Sequence, residues 1–122
     1  MPQLAIRGAI TVEANTADAI KAASIELASK LIQDNNLDTA EMVTIFITMT
    51  SDLTAYNASA AIRTGLGLAD IAFFTSQEAE VDGMLPRCIR LLVHCESNKS
   101  KNEIKHIYLG EAAKLRPDLQ SQ

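Results

Sequence analysis

The sequence predicts an α+β fold in which a mixed β-sheet carries its helices on one face. Three observations lead there. Segments with the two-residue alternation of strands and segments with helical spacing follow one another as β-α-β-α-β-β-β, with two helices of unequal length. Residues 43–50 alternate cleanly, setting Val43, Ile45, Ile47 and Met49 against Thr44, Phe46, Thr48 and Thr50. Residues 88–95 are largely apolar on both faces, as an interior strand would be. Strands apolar on both sides leave the face away from the helices in need of cover, so the pattern predicts that copies of the chain associate.

The first strand runs from Leu4 to Val12, where Leu4, Ile6, Gly8, Ile10 and Val12 alternate with Ala5, Arg7, Ala9 and Thr11. Arg7 interrupts a row of small residues, which makes it a candidate anion contact, and Gly8 beside it gives another backbone or a ligand room to approach. Asn15 or Thr16 caps the following helix, which extends to Asp34 or Asn35 and buries Ile20, Ala23, Leu27 and Leu31 along one stripe. Asp38-Thr39-Ala40-Glu41 has the spacing of a capping box and opens one short turn ahead of strand 43–50. A second helix contains Ser59 to Arg63 and is stopped by Gly65 and Gly67. Arg63, near its end, either complements the helix dipole or reaches a ligand. Asp70 to Thr75 is the third strand and runs into the polar segment Ser76 to Glu80. Asp82-Gly83 marks a turn, and Pro86 closes the connection to strand 88–95. Residues 96–105 are polar and lysine-rich and read as a solvated loop or turn. His106 to Leu109 is the last strand, ended by Gly110, and from about Arg116 the chain becomes a loosely held tail.

Strand 88–95 raises the sharpest chemical question. Ile89, Leu91 and Val93 share one face, and Cys88, Arg90, Leu92 and His94 share the other. A guanidinium keeps its proton in a protein and is costly to bury without a partner. Arg90 therefore meets something anionic, a carboxylate of the protein or a ligand, unless the strand lies at a sheet edge with Arg90 in water.

Composition narrows the rest. A length of 122 residues bounds one domain over 1–122. With 4% aromatic residues and no Trp, the core is aliphatic. A net charge of -4 argues against nucleic acid, whose binders show a basic patch or stripe. No run of about eighteen apolar residues spans a membrane, and no secretory signal is visible. Cys88 and Cys95 would face opposite sides of one strand, so no disulfide joins them, and two free thiols suit a reducing cytoplasm. Those cysteines, His94 and His106 are not gathered in any metal-binding spacing, so no metal site is expected. Neither a G-x-S-x-G elbow nor a P-loop is present. What remains is a set of five arginines (Arg7, Arg63, Arg87, Arg90, Arg116), a glutamate at a strand exit (Glu78) and a late tyrosine (Tyr108). Arginine forks suit carboxylates, so these residues point to a small, carboxylate-bearing ligand without naming a reaction.

The run Ile6 to Glu13 (I-R-G-A-I-T-V-E) resembles the opening of the monofunctional AroH-class chorismate mutases. Cys88-Ile89-Arg90 resembles that family's central strand, and His106 to Leu109 and Leu115 to Leu119 resemble its H-x-Y-L and L-R-P-D-L runs. The similarity spans essentially the whole chain. It implies a homotrimeric pseudo-α/β barrel with active sites between subunits, which converts the chorismate dianion to prephenate by a Claisen rearrangement without cofactor or metal. It also implies site roles. Arg90 would face the breaking ether oxygen and a carboxylate, Arg7 and Tyr108 would hold carboxylates, and Glu78 would accept from the ring hydroxyl. Phe74, Thr75, Arg63, Leu115 and Arg116 would complete the substrate's surroundings. Asn57, Ala60 and Thr75 depart from residues common in the family. Two other readings stand beside this one: a trimeric sensor of an aromatic-pathway carboxylate, and a related trimeric fold acting on imines, against which the Arg90 and L-R-P-D-L matches count.

Overall fold

The computed structural model describes residues 2–114. Strands β1 (Gln3–Thr11), β2 (Met42–Met49), β3 (Ala72–Gln77), β4 (Cys88–Glu96) and β5 (Ile107–Leu109) form one sheet in the order β3-β2-β4-β1-β5. Strand β4 is central and antiparallel to both β1 and β2, while β3 and β5 join in parallel at the two edges. The sheet is mixed, as expected, and a strand paired on both sides rules out the edge reading of Arg90.

Helices α1 (Ala17–Asp34) and α2 (Ala58–Leu66) cover one face. Their buried side chains share a single aliphatic core with the inward rows of the sheet, among them Ile6, Ile10, Ile45, Ile47, Ile89, Leu91 and Val93. Ile20, Ala23, Leu27 and Leu31 form the buried stripe of α1, joined by Ser24 and Ala28. Thr16, the second of the two proposed caps, accepts from the Ala19 N–H at 3.1 Å. Asn15 instead ties the loop before α2, donating to Thr54 Oγ1 at 2.9 Å and accepting from the Thr54 and Ala55 N–H groups. Asn35, fully enclosed at the end of α1, donates to Lys105 O and accepts from the Lys105 N–H, which sets the approach to β5. None of the helices among the described residues is long and apolar enough to cross a membrane.

Several boundaries differ from expectation, some through a distant partner and some through a local turn. Val43 is 44% exposed rather than inward. Met42 pairs with Cys95 and Thr44 with His94, so Val43 is the extra residue of a β-bulge and Met42 takes the core position. Gly65 lies inside α2, not beyond it, and a Cβ there would stand 2.5 Å from Ile25 Cδ1, so its missing side chain lets the two helices close. Gly67 is the true stop, with φ +65. Strand β3 starts at Ala72 because Leu68 and Ile71 turn their N–H groups back to Arg63 O and Leu68 O. Within segment 96–105, expected as a loop or turn, Lys101–Glu103 forms a 3₁₀ turn in which the Ser100 N–H donates to Glu103 Oε1. The space at Gly8 serves the helix layer, since a Cβ there would meet Leu27 and Leu31 of α1 at 3.2 and 3.3 Å.

Candidate active site

The helix-free face of the sheet holds a cleft of about 270 Å³ lined by Arg7, Phe46, Thr48, Glu78, Arg90 and Tyr108, with Gly8, Leu91 and Leu92 around them. Register explains the gathering. Ala9 of β1 and Thr48 of β2 flank Arg90 on its two sides in the sheet. Tyr108 stands beyond Ala9, as its partner on β5. Arg7 precedes Ala9 by two residues, so the pleat turns both to this same face. The buried alanine keeps the strip between Arg90 and Tyr108 shallow.

Glu78 follows β3 directly. Its N–H donates to Met49 O at 2.9 Å and prolongs the β2–β3 pairing by a residue. Its Oε1 lies 3.0 Å from Arg90 Nε and accepts from Thr48 Oγ1 at 2.6 Å. This carboxylate is the anionic partner that a mid-strand arginine requires. Arg90 Nε is buried and lacks a hydrogen bond of proper direction, so its contact with Glu78 is electrostatic rather than a well-aligned N–H···O. The side chain as a whole is 41% exposed, which leaves the outer part of the fork open to the cleft. Arg7 is exposed, and its backbone N–H donates to His106 Nδ1 at 3.0 Å, one residue before the β1–β5 ladder begins at Gly8. With two guanidiniums against one carboxylate, the lining favours an anionic guest.

On the same face, beside this site, Cys88 packs with Ala9, Tyr108 and Ala112. Burial pushes its thiol up from the ordinary value, with nearby Arg90 pulling the other way, so the sulfur stays protonated at neutral pH. Cys95 lies in the main core on the other face, its thiol also raised by burial, and both cysteines are free, as the strand geometry predicts.

The remaining expected site residues stand elsewhere. Thr75 points to the helix side of β3, where its hydroxyl contacts Ser59 Oγ and donates to Asn57 Oδ1 at 3.1 Å. Arg63 is exposed on α2, on the helix layer. Phe74 shares the cleft's face but lies outside the lining, 59% exposed, with its ring 5.3 Å from that of Phe46. Leu115 and Arg116 fall outside the described residues. Arg87 is a structural clasp: at φ +46 it donates from Nε to Val12 O and from its N–H to Asp52. Thr48 and Phe46 line the cleft without having been singled out as site residues, and His106, named in the H-x-Y-L run, accepts from the Arg7 N–H. Alternation placed Phe46 and Thr48 on one face, but nothing in the sequence brings Thr48 to Glu78. Among the described residues, no group of three or more His, Cys, Asp and Glu side chains could hold a metal ion.

Known proteins share this architecture. The family profile described as chorismate mutase type I matches residues 4–119. The chain is 40% identical over 118 residues to the chorismate mutase AroH of Thermus thermophilus, covering 95% of each. It is 33% identical over 114 residues to the chorismate mutase AroH of Bacillus subtilis, covering 93% of this chain and 90% of that one. A solved chorismate mutase from Clostridium thermocellum superposes with a TM-score of 0.88 at 37% identity, over 91% of this chain and 98% of the other. The chain therefore belongs to the chorismate mutase type I family.

Proposed function

We propose that the cleft rearranges chorismate to prephenate, with Arg90 as its electrostatic centre. The observation behind this reading is the fork of Arg90, set in the middle of the central strand, steadied by Glu78 and open to a cleft that also holds Arg7 and Tyr108. A Claisen rearrangement moves electrons in a ring within one molecule. The protein must hold a flexible dianion in its reactive chair-like conformation, an orientation effect. It must also place positive charge where negative charge develops on the ether oxygen as the C–O bond breaks, and a preorganised guanidinium does so without proton transfer. In this reading Arg90 contacts the ether oxygen and one carboxylate, Arg7 and Tyr108 hold carboxylates, and Glu78 accepts from the ring hydroxyl.

Thr75 and Arg63 reach substrate in this reading through a second copy of the chain, whose β3–α2 edge closes the cleft of its neighbour. Phe74 contributes to the same closure, and Leu115 and Arg116 would border the mouth. In this reading the protein is a homotrimer with shared sites and works in the cytoplasm, at the branch toward phenylalanine and tyrosine. The test is the loss of chorismate absorbance on adding purified protein without metal or cofactor, beside Arg90→Ala. Rapid loss that the variant abolishes is expected. Binding of chorismate without turnover would overturn the enzyme reading in favour of a sensor.

A further inference from the structure

We infer that Thr48 is a positioning residue that keeps the Arg90–Glu78 pair from closing on itself, an inference that rests on the mutase reading above. Thr48 lies directly opposite Arg90 in the β2–β4 register. Its hydroxyl donates to Glu78 Oε1 at 2.6 Å, and the same oxygen lies 3.0 Å from Arg90 Nε. One carboxylate oxygen thus takes both contacts, and no side-chain hydrogen bond from the described residues reaches Oε2. An isolated arginine and carboxylate prefer a different arrangement, the bidentate fork in which both oxygens meet two guanidinium N–H groups. That arrangement would use up the acceptor meant for the substrate's hydroxyl and the donors meant for its ether oxygen and carboxylate.

Two contacts oppose the collapse here. The Glu78 N–H is anchored on Met49 O, which fixes the root of the side chain, and the Thr48 hydroxyl fixes its tip. The result is a one-oxygen contact that lacks hydrogen-bond alignment at Arg90 Nε. Such a contact neutralises charge in the empty cleft yet leaves the outer fork and Oε2 available. Removing the hydroxyl frees the carboxylate to swing into the fork, and the closed pair then competes with substrate. The loss falls more on substrate capture than on the chemical step.

The test compares Thr48→Val, which keeps shape and loses the hydroxyl, with Thr48→Ser, which keeps the hydroxyl, on chorismate with melting curves for each. A hydrogen bond to a charged group supports a fall of roughly tenfold to a hundredfold in kcat/KM for the valine variant. KM should rise more than kcat falls, and the serine variant should return to near wild-type values. Thr48→Ala reads the same effect if the valine variant melts below the assay temperature. Unchanged kinetics in the valine variant, equal losses in valine and serine, or a fall in kcat at constant KM would each overturn the inference. An inactive wild-type protein would instead overturn the mutase reading, so the two failures are separable.

Discussion

At the scale of single residues, the proposed chemistry depends on the shape of a charge as much as its sign. Arg90 offers several N–H groups in one plane from the middle of the sheet, and Glu78 occupies its buried Nε side. A lysine would supply the same charge as a point on a flexible stem, unable to span an ether oxygen and a carboxylate together. Arg90→Lys is expected to lower turnover by on the order of 10²–10³, the usual loss of one preorganised donor, with little change in melting temperature. Chorismate absorbance at saturating substrate measures it, and wild-type-like turnover would remove Arg90 from the centre of the mechanism. A second residue works on stability alone. Burial acts to raise the Asp52 carboxyl, but hydrogen bonds from the Thr50 hydroxyl and the Arg87 N–H outweigh it and hold it below the ordinary 3.8. A depressed folded value means that the stabilisation is complete above the ordinary value and is lost as pH falls through the lower, folded one. Asp52→Ala should therefore cost about 1 kcal/mol at pH 7, a modest figure for an exposed group. Melting curves of the two proteins should keep a constant gap down to about pH 5 and converge below about pH 4. A gap that widens in acid would refute the assignment.

At the scale of elements, turns fix what the strands present. Gly110 ends β5 at φ +61, and a Cβ there would come 2.6 Å from Thr11 Oγ1, the group that accepts from the Glu111 N–H. Gly110→Ala combines left-handed backbone strain with that collision and should destabilise by about 2 kcal/mol, read as a lower melting temperature. Gly67→Ala, at φ +65 with open space around it, isolates the backbone cost and should lose less. Equal losses would mean that Thr11 yields freely. These comparisons show how far local pattern reaches. Alternation identified β1 and β2, a run apolar on both faces identified β4, and helical spacing identified the α1 stripe, because all are properties of neighbouring residues. The bulge at Val43 was not legible, because it exists only against Cys95 and His94 of β4. Gly65 looked like a stop because its reason, Ile25 on the other helix, is forty residues away. The site divides in the same way. Arg7 and Arg90 stand out in sequence as charges in rows of small or apolar residues, whereas their meeting with Glu78 and Tyr108 is a product of strand order. Thr48 gave no signal of its own, being one of three threonines that share a strand face with Phe46.

At the scale of the molecule, the two faces of the sheet are unequal. One is sealed by α1 and α2, while the other exposes Phe74 at 59%, Phe46 at 40% and Leu92 at 43% around the cleft. Fully burying such a side chain is worth roughly 1.5–3 kcal/mol, so three neighbours on one face supply a strong drive to association. Strand β3 adds to it, since its outer edge is unpaired in the sheet order. Phe74 is the informative position, because it lies outside the cleft's lining and leans on Phe46, which lies within it. In the proposed assembly Phe74→Glu places a charge in the contact between copies without touching Arg7, Glu78, Arg90 or Tyr108. Light scattering should give the parent protein a mass near three times 13.2 kDa, and the variant a mass shifted toward a single chain. Activity should fall with the mass and recover as protein concentration is raised, because a site shared between copies is rebuilt when they meet. A parent protein of 13.2 kDa with full turnover would refute the shared cleft, and so would a dissociated variant that remains as active as the assembly.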